Sequence, residues 1–247
     1  MSDICLYLDS LPNDTEFLNL SYFNLTTLPP SLSRFTNLKY FNCSHNQLKS
    51  LPPLNSSLKT LICSHNQLTL LPPLNDSLKY LYCSNNSLTS LPYLNNSLEE
   101  LYCSNNSLTS LPILNGSLKQ LDCSRNQLKS LPPLNSYLHE LYCDNNQLFN
   151  VPYLHSHLWF SCFDNPISDI FYSFEIPPRN DKLNKLMHFR KFYFLSKFKN
   201  QFIKWMWKSR ELKIKERFHY KYLEEVIKNN ENNSDFDLDD FIENWKM

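Results

Sequence analysis

Alanine is absent from this sequence, and glycine occurs once, at Gly116. A glycine-rich loop that cradles phosphate by its backbone has almost nothing to be built from. Net charge is absent too: 24 basic residues balance 24 acidic ones, so whole-chain charge names no partner. No run of 18 apolar residues exists, which argues against a membrane-spanning helix. The opening MSDICLYLDSLPNDTE has no basic start, and its apolar stretch at 4–8 is too short for a signal peptide. The expectation is therefore an intracellular chain whose thiols stay reduced. Asn, Lys, Phe and Tyr, whose codons are AT-rich, are abundant, so the coding sequence is expected to be AT-rich. Proline codons are GC-rich, yet 15 prolines remain, which implies a structural reason for keeping them.

What is present is a period. Cysteines stand at 43, 63, 83, 103, 123 and 143, with Cys162 after a step of 19. Asn46, Asn66, Asn86, Asn106, Asn126 and Asn146 keep the same step, as do leucines from Leu48 and prolines from Pro52. The unit is L-x-x-L-x-C-x-x-N-x-L-x-x-L-P-x-L-x-x-x, beginning at Leu38 and repeating every 20 residues. An earlier unit aligns at an offset of 23: Leu18 falls on Phe41, Leu20 on Cys43 and Leu25 on Leu48. Phe23 stands where Asn46 would be, so that first coil lacks the asparagine. Residues 15–170 hold about eight coils, with an N-terminal cap at 1–14 and a different region at 171–247.

The motif resembles that of the leucine-rich repeat superfamily, L-x-x-L-x-L-x-x-N-x-L, with cysteine in place of the third leucine. The 20-residue period with L-P after the motif is most similar to the short bacterial class of YopM- and IpaH-type effectors. The resemblance implies an α/β-type solenoid: a horseshoe with a parallel β-sheet on the concave face. It also implies that the recurrent asparagines are structural, and that the concave face binds protein. Some bacterial members carry a ubiquitin-ligase domain with a nucleophilic cysteine after the repeats. No cysteine follows Cys162 here, so that mechanism has no nucleophile.

Elementary chemistry supports the same architecture. Leu81-Tyr82-Cys83 alternates in-out-in, the period of a strand. One coil alone has nothing to bury its leucines against, so stability comes from stacking neighbours. An asparagine at the end of the strand can satisfy backbone groups that would otherwise be buried unpaired. Return segments such as LPPLNSSL at 51–58 are too short and proline-rich for helix and suit extended or polyproline-II backbone. The sequons at Asn55, Asn75 and Asn115 read as by-products of the repeat.

The cysteine column admits three chemical readings. Disulfides are disfavoured because parallel neighbours lie about 4.8 Å apart, outside the usual Cβ separation of roughly 3.5–4.5 Å. Metal is disfavoured because Cys43 and Cys63 face inward while His45 and His65 fall at the concave rim, and no C-x-x-C pair exists. Catalysis is disfavoured because a reactive thiolate needs an exposed, electropositive niche. Cys63, Cys83, Cys103 and Cys123 are expected to pack as small hydrophobes. No cofactor is implied, and nothing in the sequence marks an enzyme.

Positions beside the inward ones differ from coil to coil. The slot before cysteine reads Asn42, Ile62, Tyr82, Tyr102, Asp122, Tyr142 and Ser161; two earlier it reads Tyr40, Thr60, Tyr80, Glu100, Gln120, Glu140 and Trp159. The slot two after cysteine reads His45, His65, Asn85, Asn105, Arg125, Asn145 and Asp164. Tyrosine suits interfaces because it brings large area with a polar tip. The candidate protein-binding set is Tyr40, Tyr80, Tyr82, Glu100, Tyr102, Asp122, Arg125, Tyr142 and Trp159, suited to a basic protein or peptide.

After Pro166 the composition changes. PPRND at 177–181 reads as a linker, and apolar spacing predicts helices over 182–209, about 216–228 and from 237 onward. Residues 180–222 carry 13 basic and 3 acidic side chains, whereas 223–247 carry 2 and 8. Docking of this helical region on the open end of the solenoid is the preferred reading. Nucleic-acid or anionic-surface binding through 182–222 is the alternative. DFDLDDFIENWK at 235–246 is no calcium loop, because Asp240 stands where glycine is needed and Lys246 where glutamate is needed. WKSRELKIKERFHYKYLEE at 207–225 with DLDDFIENW at 237–245 resembles a C-terminal block of giant DNA viruses of the mimivirus group. The expected role is thus a non-enzymatic binding module, acting on a host factor in the host cytoplasm if the chain is viral. The partner's identity and the oligomeric state are open.

Overall fold

A computed structural model describes residues 2–167. The predicted linker, the three C-terminal helices and the opposed charge blocks lie outside the described residues. Within them the chain opens with helix α1, Ser2–Ser10, and then lays down eight strands of three residues. These are β1 Phe17–Asn19, β2 Tyr40–Asn42, β3 Thr60–Ile62, β4 Tyr80–Tyr82, β5 Glu100–Tyr102, β6 Gln120–Asp122, β7 Glu140–Tyr142 and β8 Trp159–Ser161. They form one parallel sheet in chain order, so eight strands are joined by seven full turns. Leu18 pairs with Phe41 across β1 and β2, as the 23-residue offset predicts. The extra residues of that coil accommodate a short 3-10 helix, Pro30–Arg34, and the buried ring of Phe35.

The strands are short: β2 to β7 each contribute only one inward residue between two half-exposed ones. The next inward position is cysteine. Leu61, Leu81, Leu101 and Leu121, the cysteines from Cys43 to Cys162, and Leu48, Leu68, Leu88 and Leu108 form continuous buried columns. Burying one such leucine contributes about 1.5–3 kcal/mol, and it does so only against the coils above and below. No helix or strand interrupts the return segments at 50–57, 70–77, 90–97, 110–117 and 130–137. At the start of the stack, Ile4 and Leu8 of α1 join the core beside Leu18 and Leu20. Arg34 closes the C-terminal end of α1 by donating to the carbonyls of Leu8 and Leu11.

Two asparagine ladders tie coil to coil. In the first, the Asn66 amide donates to the carbonyls of Cys43 and Cys63 at 3.0 and 3.1 Å and accepts from the Leu48 N–H at 3.0 Å. Asn86, Asn106, Asn126 and Asn146 repeat the arrangement. Each amide therefore serves the preceding coil as well as its own. Asn46 accepts from the Leu25 N–H at 2.9 Å, which explains why the first coil functions with Phe23 in that place.

The second ladder lies on the return side. Asn75 donates to the Asn55 carbonyl at 2.6 Å, Asn95 to Asn75, Asn115 to Asn95, and Asn135 to Asn115 at 2.8 Å. Their Oδ1 atoms accept the N–H two residues on, at Ser77, Ser97, Ser117 and Tyr137. This is a turn held by a side chain. Asn75 and Asn115, read from sequence as incidental sequons, thus have a structural use, and the Nδ2 that a glycan would need is already donated inward.

Candidate functional site: the concave sheet face

Outward side chains of the strands form two adjacent columns. Register places Tyr40, Thr60, Tyr80, Glu100, Gln120, Glu140 and Trp159 in one, and Asn42, Ile62, Tyr82, Tyr102, Asp122, Tyr142 and Ser161 in the other. The structure brings eight of the nine sequence-selected residues onto these two columns. At the start, Tyr40 stacks on Phe17 with centroids 4.1 Å apart, so Phe17 extends the aromatic band. At the end, Trp159 stands 67% exposed beside Glu140.

The middle of the face is a polar–aromatic network. Tyr82 and Tyr102 stack with centroids 5.1 Å apart. The Tyr82 hydroxyl donates to Glu100 at 2.6 Å and that of Tyr102 to Gln120 at 2.8 Å. Gln120 donates to Glu140, which also accepts from the Tyr142 hydroxyl, both at 3.3 Å. Burial first, and then the neighbouring carboxylates, push the phenols of Tyr82, Tyr102 and Tyr142 above their ordinary range. They stay neutral donors at physiological pH. Among the described residues, ion pairs join Lys39 to Glu16 and Glu99 to both Lys79 and Lys119, and none reaches Glu100, Asp122 or Glu140.

Arg125, the ninth selected residue, belongs to a different column. The residue two after each repeat cysteine has a positive φ: His45 at 53°, His65 at 57°, Asn85 at 58°, Asn105 at 53°, Arg125 at 53°, Asn145 at 54° and Asp164 at 53°. That left-handed region favours Asn, Asp and His among non-glycine residues. The apparent freedom of this slot is therefore set largely by the backbone, which corrects its reading as a variable recognition position. Asp122 is shared between roles: its Oδ1 accepts the Ser124 N–H at 3.0 Å, as Asn42 accepts that of Ser44.

All eight cysteines of the described region are free thiols, seven buried in the column and Cys5 exposed on α1. Burial pushes the Cys43 and Cys162 thiols up to about 12, and those between them well above their ordinary value. Thiolate is the reactive and metal-binding form, so burial works against both uses of these groups. Among the described residues no group of three or more His, Cys, Asp or Glu side chains is placed to hold a metal ion, and no helix is long and apolar enough to cross a membrane.

A two-copy leucine-rich repeat family model matches residues 16–56 and 76–116. The leucine-rich repeat domain of a Shigella effector is 32% identical, with 70% of this chain and 80% of that domain covered at a TM-score of 0.59. The chain belongs to the leucine-rich repeat family. YopM from Yersinia pestis is 38% identical over 61% of this chain, TM-score 0.55, and YopM from Yersinia enterocolitica 32% identical over 62%, TM-score 0.54. The match spans 42% of the first YopM and 34% of the second. No curated protein matches the chain. These leucine-rich repeats thus resemble those of bacterial effectors, the class indicated by the 20-residue period.

Proposed function

We propose that the protein is a non-enzymatic interaction module that holds an extended segment of another protein on the concave sheet face. The carrying observation is the contrast between columns. Interior positions repeat one residue type coil after coil, whereas the two concave columns change and gather Tyr40, Tyr80, Tyr82, Tyr102 and Tyr142 with Glu100, Asp122 and Glu140. Tyr82 and Tyr102 are pre-organised by their hydroxyl bonds to neighbouring coils, which lowers the ordering cost of binding. A reducing compartment suits such a module, because eight unpaired thiols would cross-link the unfolded chain elsewhere. Action on a host factor in the host cytoplasm belongs to the same proposal.

Affinity capture tests it with the full chain, the Tyr82→Ala/Tyr102→Ala variant and a return-side Tyr93→Ala control. A partner retained by the wild type and the control but lost by the double variant supports the assignment. A partner retained by all three moves the site off the concave face.

A further inference from the structure

Concave tyrosines occur in two spacings. Tyr82 and Tyr102 are in adjacent coils and close on each other, with centroids 5.1 Å apart. Tyr102 and Tyr142 are two coils apart in the same column, with the short side chain of Asp122 between them. Strands lie about 4.8 Å apart, so these two tyrosines are separated by about 9.6 Å at the sheet. Two rings sandwiching a flat group at carbon contact distance need roughly 7–8 Å. A cation midway would be about 4.8 Å from each ring column, inside the roughly 6 Å reach of a cation–π contact. Tyr102 leans towards this opening, since its hydroxyl is held by Gln120 in the coil of Asp122.

The floor of the notch has unspent acceptor capacity. Asp122 Oδ1 is fixed by the Ser124 N–H, which orients the carboxylate and leaves Oδ2 without a partner among the described residues. Glu140, alongside in the next coil, accepts two neutral donors and no cation. Arg125 of the same coil forms no ion pair with either carboxylate. A planar guanidinium matches both halves of this environment, its charge within cation–π reach of both ring columns while its fork donates to carboxylate oxygens.

We propose that the notch between Tyr102 and Tyr142, floored by Asp122 and flanked by Glu140, receives an arginine side chain of the bound segment. This rests on the concave face being the binding surface, and it names the side chain that surface selects. Asn42 shows that asparagine can keep the local turn bond in this position, so Asp122→Asn removes the charge without removing the turn.

The test uses the full chain and a threonine heptapeptide carrying arginine, lysine or citrulline at its centre, titrated at low salt. Ring signals of Tyr102 and Tyr142 are followed by NMR. The arginine peptide is expected to move both, with the lysine and citrulline peptides weaker by about fivefold or more, and Asp122→Asn is expected to bring arginine down to the citrulline level. An unchanged melting temperature of Asp122→Asn assigns that loss to the site. Equal binding of arginine and citrulline, equal binding of arginine and lysine, or an Asp122→Asn variant that binds arginine normally would each overturn the notch. Shifts confined to Tyr40 and Tyr80 would overturn it too, while leaving the concave-surface reading, which the capture experiment judges separately.

Discussion

The inside of the coils and their concave outside are made by alternating residues of the same strands, yet they obey different constraints. Inside, every position meets its own copy 20 residues away, so one residue type recurs: leucine, cysteine, asparagine. Outside, Thr60, Tyr80, Glu100 and Gln120 succeed one another in one column without disturbing the sheet. The difference teaches that repetition reports packing, and that departure from repetition reports what packing leaves free. The left-handed column at His45 to Asp164 qualifies the rule, because its variety is confined to residues that tolerate a positive φ, with Arg125 as the exception.

The largest expected break in this comparison is alkaline. In the folded chain burial pushes the Cys43 and Cys162 thiols up to about 12 and the Cys103 thiol well above its ordinary value, while an unfolded thiol loses its proton near 8.5. Between those values the folded state holds more protons, so stability falls as pH rises, by about 1.4 kcal/mol per pH unit for each thiol. Seven thiols shifted in the same direction should unfold the solenoid in alkaline solution, since a folded domain is stable by only roughly 5–15 kcal/mol in total. Circular dichroism against pH under reducing conditions reads this, and Cys103→Ala should make the alkaline slope shallower by one proton.

Next are the two asparagine ladders. Asn106→Ala strands the Leu88 N–H and removes donors from the Cys83 and Cys103 carbonyls. A loss of about 2–4 kcal/mol is expected, since each stranded buried group costs about 1–3 kcal/mol. Asn115→Ala removes a donor to Asn95 and Leu98 at the return side and should cost about 1–2 kcal/mol. Urea denaturation of both variants measures the gap; equal losses would erase the distinction between inward and return ladders.

Smaller effects sharpen the outer side. Arg125→Asn relieves a left-handed residue and should stabilise by up to about 1 kcal/mol. Glu99→Gln should cost under about 1 kcal/mol, because its two lysine partners are half exposed. Hydrogen bonds from Lys119 and Lys79 hold the Glu99 carboxyl below its ordinary range. That small contribution is therefore present above the unfolded carboxyl pKa and disappears as pH falls through the folded one, a difference that acid melts of wild type and Glu99→Gln resolve.

Most of the fold was legible in the sequence because buried positions in stacked coils admit few residue types, and the spacing of Leu, Cys and Asn displays them directly. The candidate site was legible as columns, since strand alternation follows once the inward residues are known. What escaped depended on backbone angles or on neighbours. Nothing in the spelling of His45, Asn85 and Arg125 announces a shared positive φ. Asn55, Asn75 and Asn115 looked like sequons because their carbonyl partners lie one coil back, 20 residues away. Helix α1 was read only as a cap, its two buried anchors, Ile4 and Leu8, being too few to show a period.

Both asparagine ladders reach one coil back and no further, so each coil recognises only its immediate neighbour. The stack is therefore indifferent to how many coils it contains. The identical stretches LYCSNNSLTSLP at 81–92 and 101–112 are interchangeable parts in that sense. Copying or excising 60 nucleotides in phase would lengthen or shorten the concave face by one strand spacing, about 4.8 Å, with every interior contact restored. Recombination between like units can thus resize the concave face in whole steps, a form of variation that point substitution in a globular core does not offer.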